Sequence, residues 1–372
     1  MSREIYLDYN ATTPVLPEVA EVFRVCALED FGNPGSGHLL GGRARRWLER
    51  ARSSLAALLE AAPEEIYFVS GGTEANNLVL LGAARAREKG HLLVSRIEHP
   101  SVLEPALRLL EAGFRVDFLP VDGRGRVDPE EVRRRLRPDT LLVSVMLANN
   151  ETGALQPVAE IGRICREAGV WFHTDAAQAV GKIPVSVQEI NCDFLTVAGH
   201  KMYAPKGIGA LYVRQGLPLV PLFFGGGQER GLRPGTEPVP LAAALGRAAE
   251  IAASDLPEEA ERQRELREYF WEGIREIFPR AIRHGEPAYT LPNTLSVAFP
   301  GREAREILER ATDLCASTGA ACHDRSGAIS HVLSAMGVAP EIARATLRFS
   351  LGRLTVREDL DRALEILRGV LR

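Results

Sequence analysis

Four lysines stand against 41 arginines in the 372 residues of this chain. A guanidinium does not readily give up its proton and is a poor amine nucleophile, so lysine chemistry here falls to Lys89, Lys182, Lys201 or Lys206. Lys201 follows the apolar run DFLTVA and sits within GHKMYAPKGIGALY. A lysine at a strand end among small residues can form an imine with an aldehyde; the position also suits a surface lysine. Asp175 ends VWFHTD. A buried carboxylate there needs a cation or hydrogen-bond donors, and a protonated heterocyclic nitrogen is one such cation. Capping of a helix N-terminus is the alternative role.

SGGTEANN (70–77) lies between an apolar run and a helical pattern. Around Gly72, small residues let backbone N–H groups approach an anion, and Thr73 adds a hydroxyl donor. The segment is neither a Walker loop nor GxGxxG, and a structural turn explains it equally. His99 closes LLVSRIEH, where an imidazole can stack on a ring and move protons or serve structure alone. ANNETG (148–153) offers an asparagine amide to a ring hydroxyl or a carboxylate. Arg348, in LRFSLGR, can fork onto a substrate carboxylate or make a structural ion pair. Cys322 belongs to a Gly-, Ala- and Ser-rich stretch (317–330) that reads as a loop, and an exposed thiol there is a candidate nucleophile. Cys315 reads as a packed residue, and the spacing of Cys315, Cys322 and His323 matches no standard zinc pattern.

The elements that must position these residues alternate along the chain. Short apolar runs at 65–70, 91–99 and 171–175, with RVDFLPV, TLLVSVMLAN, DFLTVA and GALYVR, alternate with helical spacings such as SVLEPALRLLEAG and VAEIGRICREAG. This predicts an α/β fold with a mainly parallel sheet covered on both faces, and such sheets bind ligands at the carboxyl ends of their strands. After Arg214 a Gly- and Pro-rich segment reads as a long loop. A helix over about 239–276 follows, broken near Pro257. The rest reads as a smaller α+β unit, with helices near 302–311 and 357–371. The expected division is a large domain over 15–255 and a small domain made of 1–14 and 256–372.

Composition narrows the class. Hydrophobic residues make up 45% and charged residues 25%, and the formal net charge is −4. The chain therefore carries no global basic field, and its arginines alternate with acidic neighbours, so no nucleic-acid partner is expected. MSREIYLDYN has no apolar signal core and no run of about 18 apolar residues occurs, so a soluble, unprocessed chain with no membrane partner is expected. Five cysteines without CxxC make a poor disulfide framework, which points to a reducing cytoplasm.

Together the segments YLDYNATTP, FGNPGSGH, SGGTEANN, EH at 98–99, NNETG, HTDAAQAVGK, GHKMYAPKGIGALY, GGGQERGLRPGT, STGAAC and LRFSLGR resemble, in order, those of cysteine desulfurases of the NifS/IscS-like class. These are pyridoxal-phosphate enzymes with the aspartate-aminotransferase fold, fold type I. The resemblance implies that Lys201 holds the cofactor and that Asp175 pairs its ring nitrogen. It places Gln178 and Asn150 at the ring hydroxyl, and Gly72, Thr73 and His200 at the phosphate. Thr236 reaches the phosphate of the other subunit, which implies a homodimer. His99 stacks on the ring and transfers protons, and Arg348, Asn150 and Asn33 hold the substrate carboxylate. Cys322 corresponds to the cysteine that takes sulfur from L-cysteine as a persulfide and passes it to an acceptor such as an iron–sulfur scaffold. No resident metal is implied; Cys322 as a transient iron–sulfur ligand is left open. Selenocysteine lyase or aminotransferase activity on the same fold, and a catalytically silent scaffold, stay open beside this reading. One position departs from the family: Ala198 stands where a serine usually bonds the phosphate. That is one hydroxyl donor fewer, about 1.5–3 kcal/mol for a bond to a charged group.

Overall fold

The computed structural model describes residues 4–87, 89–318 and 329–372. A two-residue strand, β1 (Ile5–Tyr6), opens the chain. The main sheet follows: β2 (Ile66–Val69), β3 (His91–Ser95), β4 (Arg115–Leu119), β5 (Thr140–Ser144), β6 (Trp171–Asp175), β7 (Phe194–Ala198) and β8 (Gly209–Val213). Their spatial order is β2-β8-β7-β6-β5-β3-β4. Only β8 runs against its neighbours, pairing antiparallel with both β2 and β7. The strands are shorter than the apolar runs that announced them: β3 stops at Ser95, four residues before His99, and β5 stops at Ser144.

Side-chain alternation explains why those runs are continuously apolar. Leu93, Val143, Phe172, Leu195 and Ala210 point into one core, while Leu92, Leu142, Phe194 and Leu211 point into another on the opposite face. With helices on both faces, neither half of the alternation meets water.

A helix over Val239–Ile277 links this layer to the rest. Pro257 cannot donate to the carbonyl four residues back, and the helix kinks at Asp255, whose φ is −143°. Arg353 grips that kink, with both terminal nitrogens 2.7 Å from the Asp255 carboxylate. Before the kink, Ala242, Leu245 and Ala249 join the main core; beyond it, Phe270 and Ile274 join a separate core with Ile5, Leu7, Phe299 and Phe349. There β9 (Ile282–Arg283), β10 (Thr294–Ala298) and β12 (Thr346–Ser350) form an antiparallel sheet, while β11 (Leu314–Cys315) pairs in parallel with β1. Among the described residues no helix is long and apolar enough to cross a membrane.

One glycine is required by a close approach. A Cβ on Gly209, at the start of β8, would lie 2.8 Å from Gly71 Cα and 2.6 Å from the Val197 carbonyl oxygen. Both are backbone atoms and cannot yield. Gly209→Ala is expected to destabilise the protein by about 1–3 kcal/mol and to lower its melting temperature; thermal and urea unfolding measure this, and an unchanged midpoint would refute the packing assignment.

Candidate active site

Five strand ends and the segments that follow them surround one cavity of about 240 Å³. Asp175 closes β6, Ala198 closes β7, and Lys201 sits in the 3-10 turn Gly199–Lys201 that follows. Gly72 and Thr73 begin the helix Gly72–Arg85 after β2, and His99 precedes the helix Pro100–Glu111 after β3. Met146, Ala148 and Asn150 come from the segment after β5, and Arg348 enters from β12. His99 is thus a helix cap as well as a cavity residue: its Nδ1 accepts from Ser101 N at 3.1 Å.

Asp175 is almost fully buried. It is not a helix cap: its Oδ1 accepts from Ala177 N at 2.9 Å in a turn, and its Oδ2 accepts from Asn76 Nδ2 at 2.7 Å. Lys201 Nζ donates to the Asn10 carbonyl and, at 2.8 Å, to the Ala11 carbonyl. Gln178 Nε2 donates to the same Asn10 carbonyl at 3.0 Å. Lys182 lies behind these groups, with Nζ 2.8 Å from Gln178 Oε1 and 3.1 Å from Asn10 Oδ1. Burial first, then the charges of Lys201 and Arg348, push the Lys182 ammonium well below the ordinary lysine range. His200 Nδ1 lies 3.2 Å from Thr12 Oγ1. Burial, followed by Lys201 and the other nearby cations, lowers His200 to about 4, so its ring is neutral at physiological pH.

Arg348 is 2% exposed. Its Nη1 donates to the Asn150 carbonyl at 2.9 Å and its Nη2 to Asp8 Oδ1 at 2.7 Å, while its buried Nε has no hydrogen-bond partner. Both terminal nitrogens therefore have a fixed partner, and Arg348 lines the cavity. Asn149 turns inward and organises the turn: its Oδ1 accepts from Glu151 N and Thr152 N. This leaves Asn150 at the cavity.

These residues fit pyridoxal phosphate. A carboxylate with both oxygens already oriented suits a pyridinium nitrogen, and an amine stands on the adjacent strand end. The first N–H groups of the helix Gly72–Arg85 have no intrahelical acceptor and face an anion site. That site is kept open by small residues: a Cβ on Gly72 would sit 3.5 Å from the Ala198 methyl carbon.

One residue expected at the substrate carboxylate stands elsewhere. Asn33 is exposed and does not line the cavity; its Oδ1 accepts from Gly35 N at 2.8 Å. Thr236 is exposed on the irregular segment before the long helix, away from this cavity. Cys322 lies outside the described residues. Cys315, expected to be packed, is half-buried beside β1. Among the described residues no group of three or more His, Cys, Asp or Glu side chains gathers as a metal site.

The residue reading passed over several cavity groups. Asn10 sits in the YNATTP block, and Asn76 in SGGTEANN. Glu151 and His331 line the cavity, with His331 Nε2 donating to the Glu98 carbonyl at 3.0 Å. Glu98 is fully buried beside them. Its Oε1 accepts from Ser95 Oγ and from Met146 N, both at 2.6 Å, and its Oε2 has no partner. The one available signal was a pair of ionisable residues, Glu98-His99, closing an apolar run.

Burial, with a smaller push from Asp175, raises Glu98 to about 8 from an ordinary 4.5. A carboxyl raised on folding binds its proton more tightly in the native state. Its contribution to stability is therefore lost as pH rises from about 4.5 to about 8. The stability of wild type relative to Glu98→Gln should fall across that window and level off on either side. Urea unfolding as a function of pH checks this, and a flat difference would refute the buried neutral carboxyl.

Comparison with known proteins agrees with this geometry. The family described as Aminotransferase class-V matches residues 5–363. The cysteine desulfurase IscS of Dictyoglomus turgidum is 43% identical over 375 residues, spanning 100% of this chain and 95% of that protein. The human cysteine desulfurase is 41% identical over 368 residues, spanning 98% of this chain and 80% of its own length. Among solved structures, a NifS-like protein superposes with a TM-score of 0.93 at 38% identity, covering 99% of both chains. SspA in complex with cysteine superposes with a TM-score of 0.84 at 38% identity, covering 94% of this chain and 99% of that one. The chain belongs to the class-V aminotransferase family of pyridoxal-phosphate enzymes, and within it to the cysteine desulfurases of the NifS/IscS-like class.

Proposed function

We propose that this chain converts L-cysteine to L-alanine and moves the sulfur to its own Cys322 for delivery to an acceptor. The observation that carries the reading is the convergence of Asp175, Lys201, His99 and Arg348 on one cavity. Pyridoxal phosphate, when bound, supplies an electron sink for the carbon next to the substrate amine. Lys201 is the amine that holds the cofactor's aldehyde carbon, and Asp175 keeps the ring nitrogen protonated. Gly72, Thr73 and His200 bound the phosphate site, and Gln178 and Asn150 the ring-hydroxyl side. Arg348, which lines the cavity, orients the substrate carboxylate. The balance is one for one: the substrate C–S bond breaks, an S–S bond forms to the Cys322 thiolate, and the carbon that loses sulfur gains a proton. The solved complex of SspA with cysteine supports cysteine as substrate.

Several finer features belong to the same proposal. The acting form is a homodimer, with Thr236 reaching the partner subunit's phosphate site. Strongly exposed apolar side chains support it: Leu28, Phe31 and Leu39 near the first helices, and Phe223 and Phe224 on the Gly- and Pro-rich segment. The division into 15–255 and 1–14 with 256–372 is supported by the two separate cores and the kink at Asp255. Asn33 joins the substrate site only if its exposed turn moves. The acceptor is an iron–sulfur scaffold and the compartment the cytoplasm, as the IscS relatives' name and the unpaired cysteines among the described residues suggest.

The test is direct. Wild type incubated with L-cysteine should yield alanine and a persulfide on the Cys322 peptide by mass analysis. Cys322→Ala should keep the cofactor's absorbance band and lose alanine production; sulfide release at the wild-type rate would refute the nucleophile assignment, and keto-acid exchange in place of alanine would refute the reaction. Ala198→Ser should restore a donor to the phosphate and tighten cofactor binding roughly tenfold, read by equilibrium titration of the cofactor-depleted protein. Unchanged or weaker binding would show that another group already fills that position.

A further inference from the structure

Hydrogen bonds behind the cavity wall join two of the groups assigned above. Asn76 Nδ2 donates to Asp175 Oδ2 at 2.7 Å and to Ser101 Oγ at 2.8 Å, and Ser101 Oγ lies 2.8 Å from His99 Nδ1. Elementary chemistry fixes every direction in this chain. A carboxylate oxygen accepts, so Asn76 turns its NH2 toward Asp175, and the second N–H of that group goes to Ser101 Oγ. Ser101 also donates its backbone N–H to His99 Nδ1 at 3.1 Å. A backbone hydrogen cannot rotate away, so Nδ1 is an acceptor. The Ser101 hydroxyl, already accepting from Asn76, directs its own hydrogen to the same nitrogen.

We infer that Asn76 and Ser101 are positioning residues that hold His99 as the Nε2–H imidazole, so that it meets the reaction with a proton to give at its unpartnered nitrogen. The inference rests on the desulfurase reading for its chemistry, but the ring state itself does not. It excludes His99, in this state, as the group that accepts a proton at Nε2. It also ties the ring-nitrogen carboxylate to the stacking histidine through two side chains. Burial, which outweighs the opposing Asp175 charge, lowers the His99 pKa and favours the neutral ring.

The test uses full-length, cofactor-loaded protein labelled with 15N-histidine. Long-range 15N–1H spectra distinguish protonated from bare ring nitrogens, and His99→Gln assigns the signals. Wild type should show a protonated Nε2 and a bare Nδ1. Asn76→Ala and Ser101→Ala should raise the fraction protonated at Nδ1 and lower kcat for alanine formation by ~10–100-fold, with a smaller change in KM for L-cysteine. A protonated Nδ1 in wild type would overturn the inference. So would two variants whose spectra and kcat both match wild type. If Asn76→Ala does not fold, the wild-type spectrum and Ser101→Ala still decide. Wild type with the expected ring state that makes no alanine would refute the desulfurase reading and leave the ring assignment standing.

Discussion

The site depends on one buried amide. Asn10 is 1% exposed and lies on an N-terminal segment with little regular structure of its own. Its side-chain oxygen accepts from Lys182 and Asn293, and its side-chain nitrogen donates to Thr294 Oγ1 and the Asn150 carbonyl. Its backbone carbonyl takes Lys201 and Gln178, and its backbone N–H donates to Ser350 Oγ. An amide carries donor and acceptor on one short side chain, which lets it meet an ammonium on one side and carbonyl or hydroxyl oxygens on the other. Aspartate at this position would lose the donating half, and leucine would leave Lys182 with one partner fewer in a buried place, where an underpaired polar group is costly. Asn10 thereby pins the second core to the ends of the main sheet at the point where the reacting amine stands.

Around that point the ionisable groups are buried or half-buried and differ in the partners they meet. Lys182 and His200 are pushed toward neutrality by burial and by neighbouring cations. Glu98 is pushed toward its neutral acid, and Asp175 accepts hydrogen bonds from an amide and a backbone N–H. Arg348 gives two arms to Asp8 and Asn150, which fixes the plane of its guanidinium. A substrate zwitterion and a phosphate thus meet groups whose orientation is set before they arrive, the condition under which electrostatic stabilisation is most effective.

Much of this was legible in the residues. The alternation of apolar runs and helical spacings announced the sheet, and the strand-end positions of Asp175 and Lys201 announced the cavity. The Pro257 break appeared two residues early, at Asp255, because a proline disturbs the turn before it. Apolar character runs past the end of β5 at Ser144: Val145, Met146 and Leu147 are buried, and Val145 and Leu147 still donate their backbone N–H groups to the His173 and Asp175 carbonyls of β6. The network of Asn10, Asn76, Ser101 and Lys182 was not legible, because its partners come from segments distant in sequence and no local spacing encodes which amide faces which charge. Asn33 looks alike in sequence terms to the residues that line the cavity; only the fold separates it from them.

The most direct measurement is borohydride reduction of the cofactor-loaded protein followed by peptide mapping. With only four lysines in the chain, the outcome is unambiguous. The account predicts a reduced pyridoxyl group on the peptide that contains Lys201 and on no other. A label on Lys182, Lys206 or Lys89, or none at all on a protein that retains its bound cofactor, would contradict it.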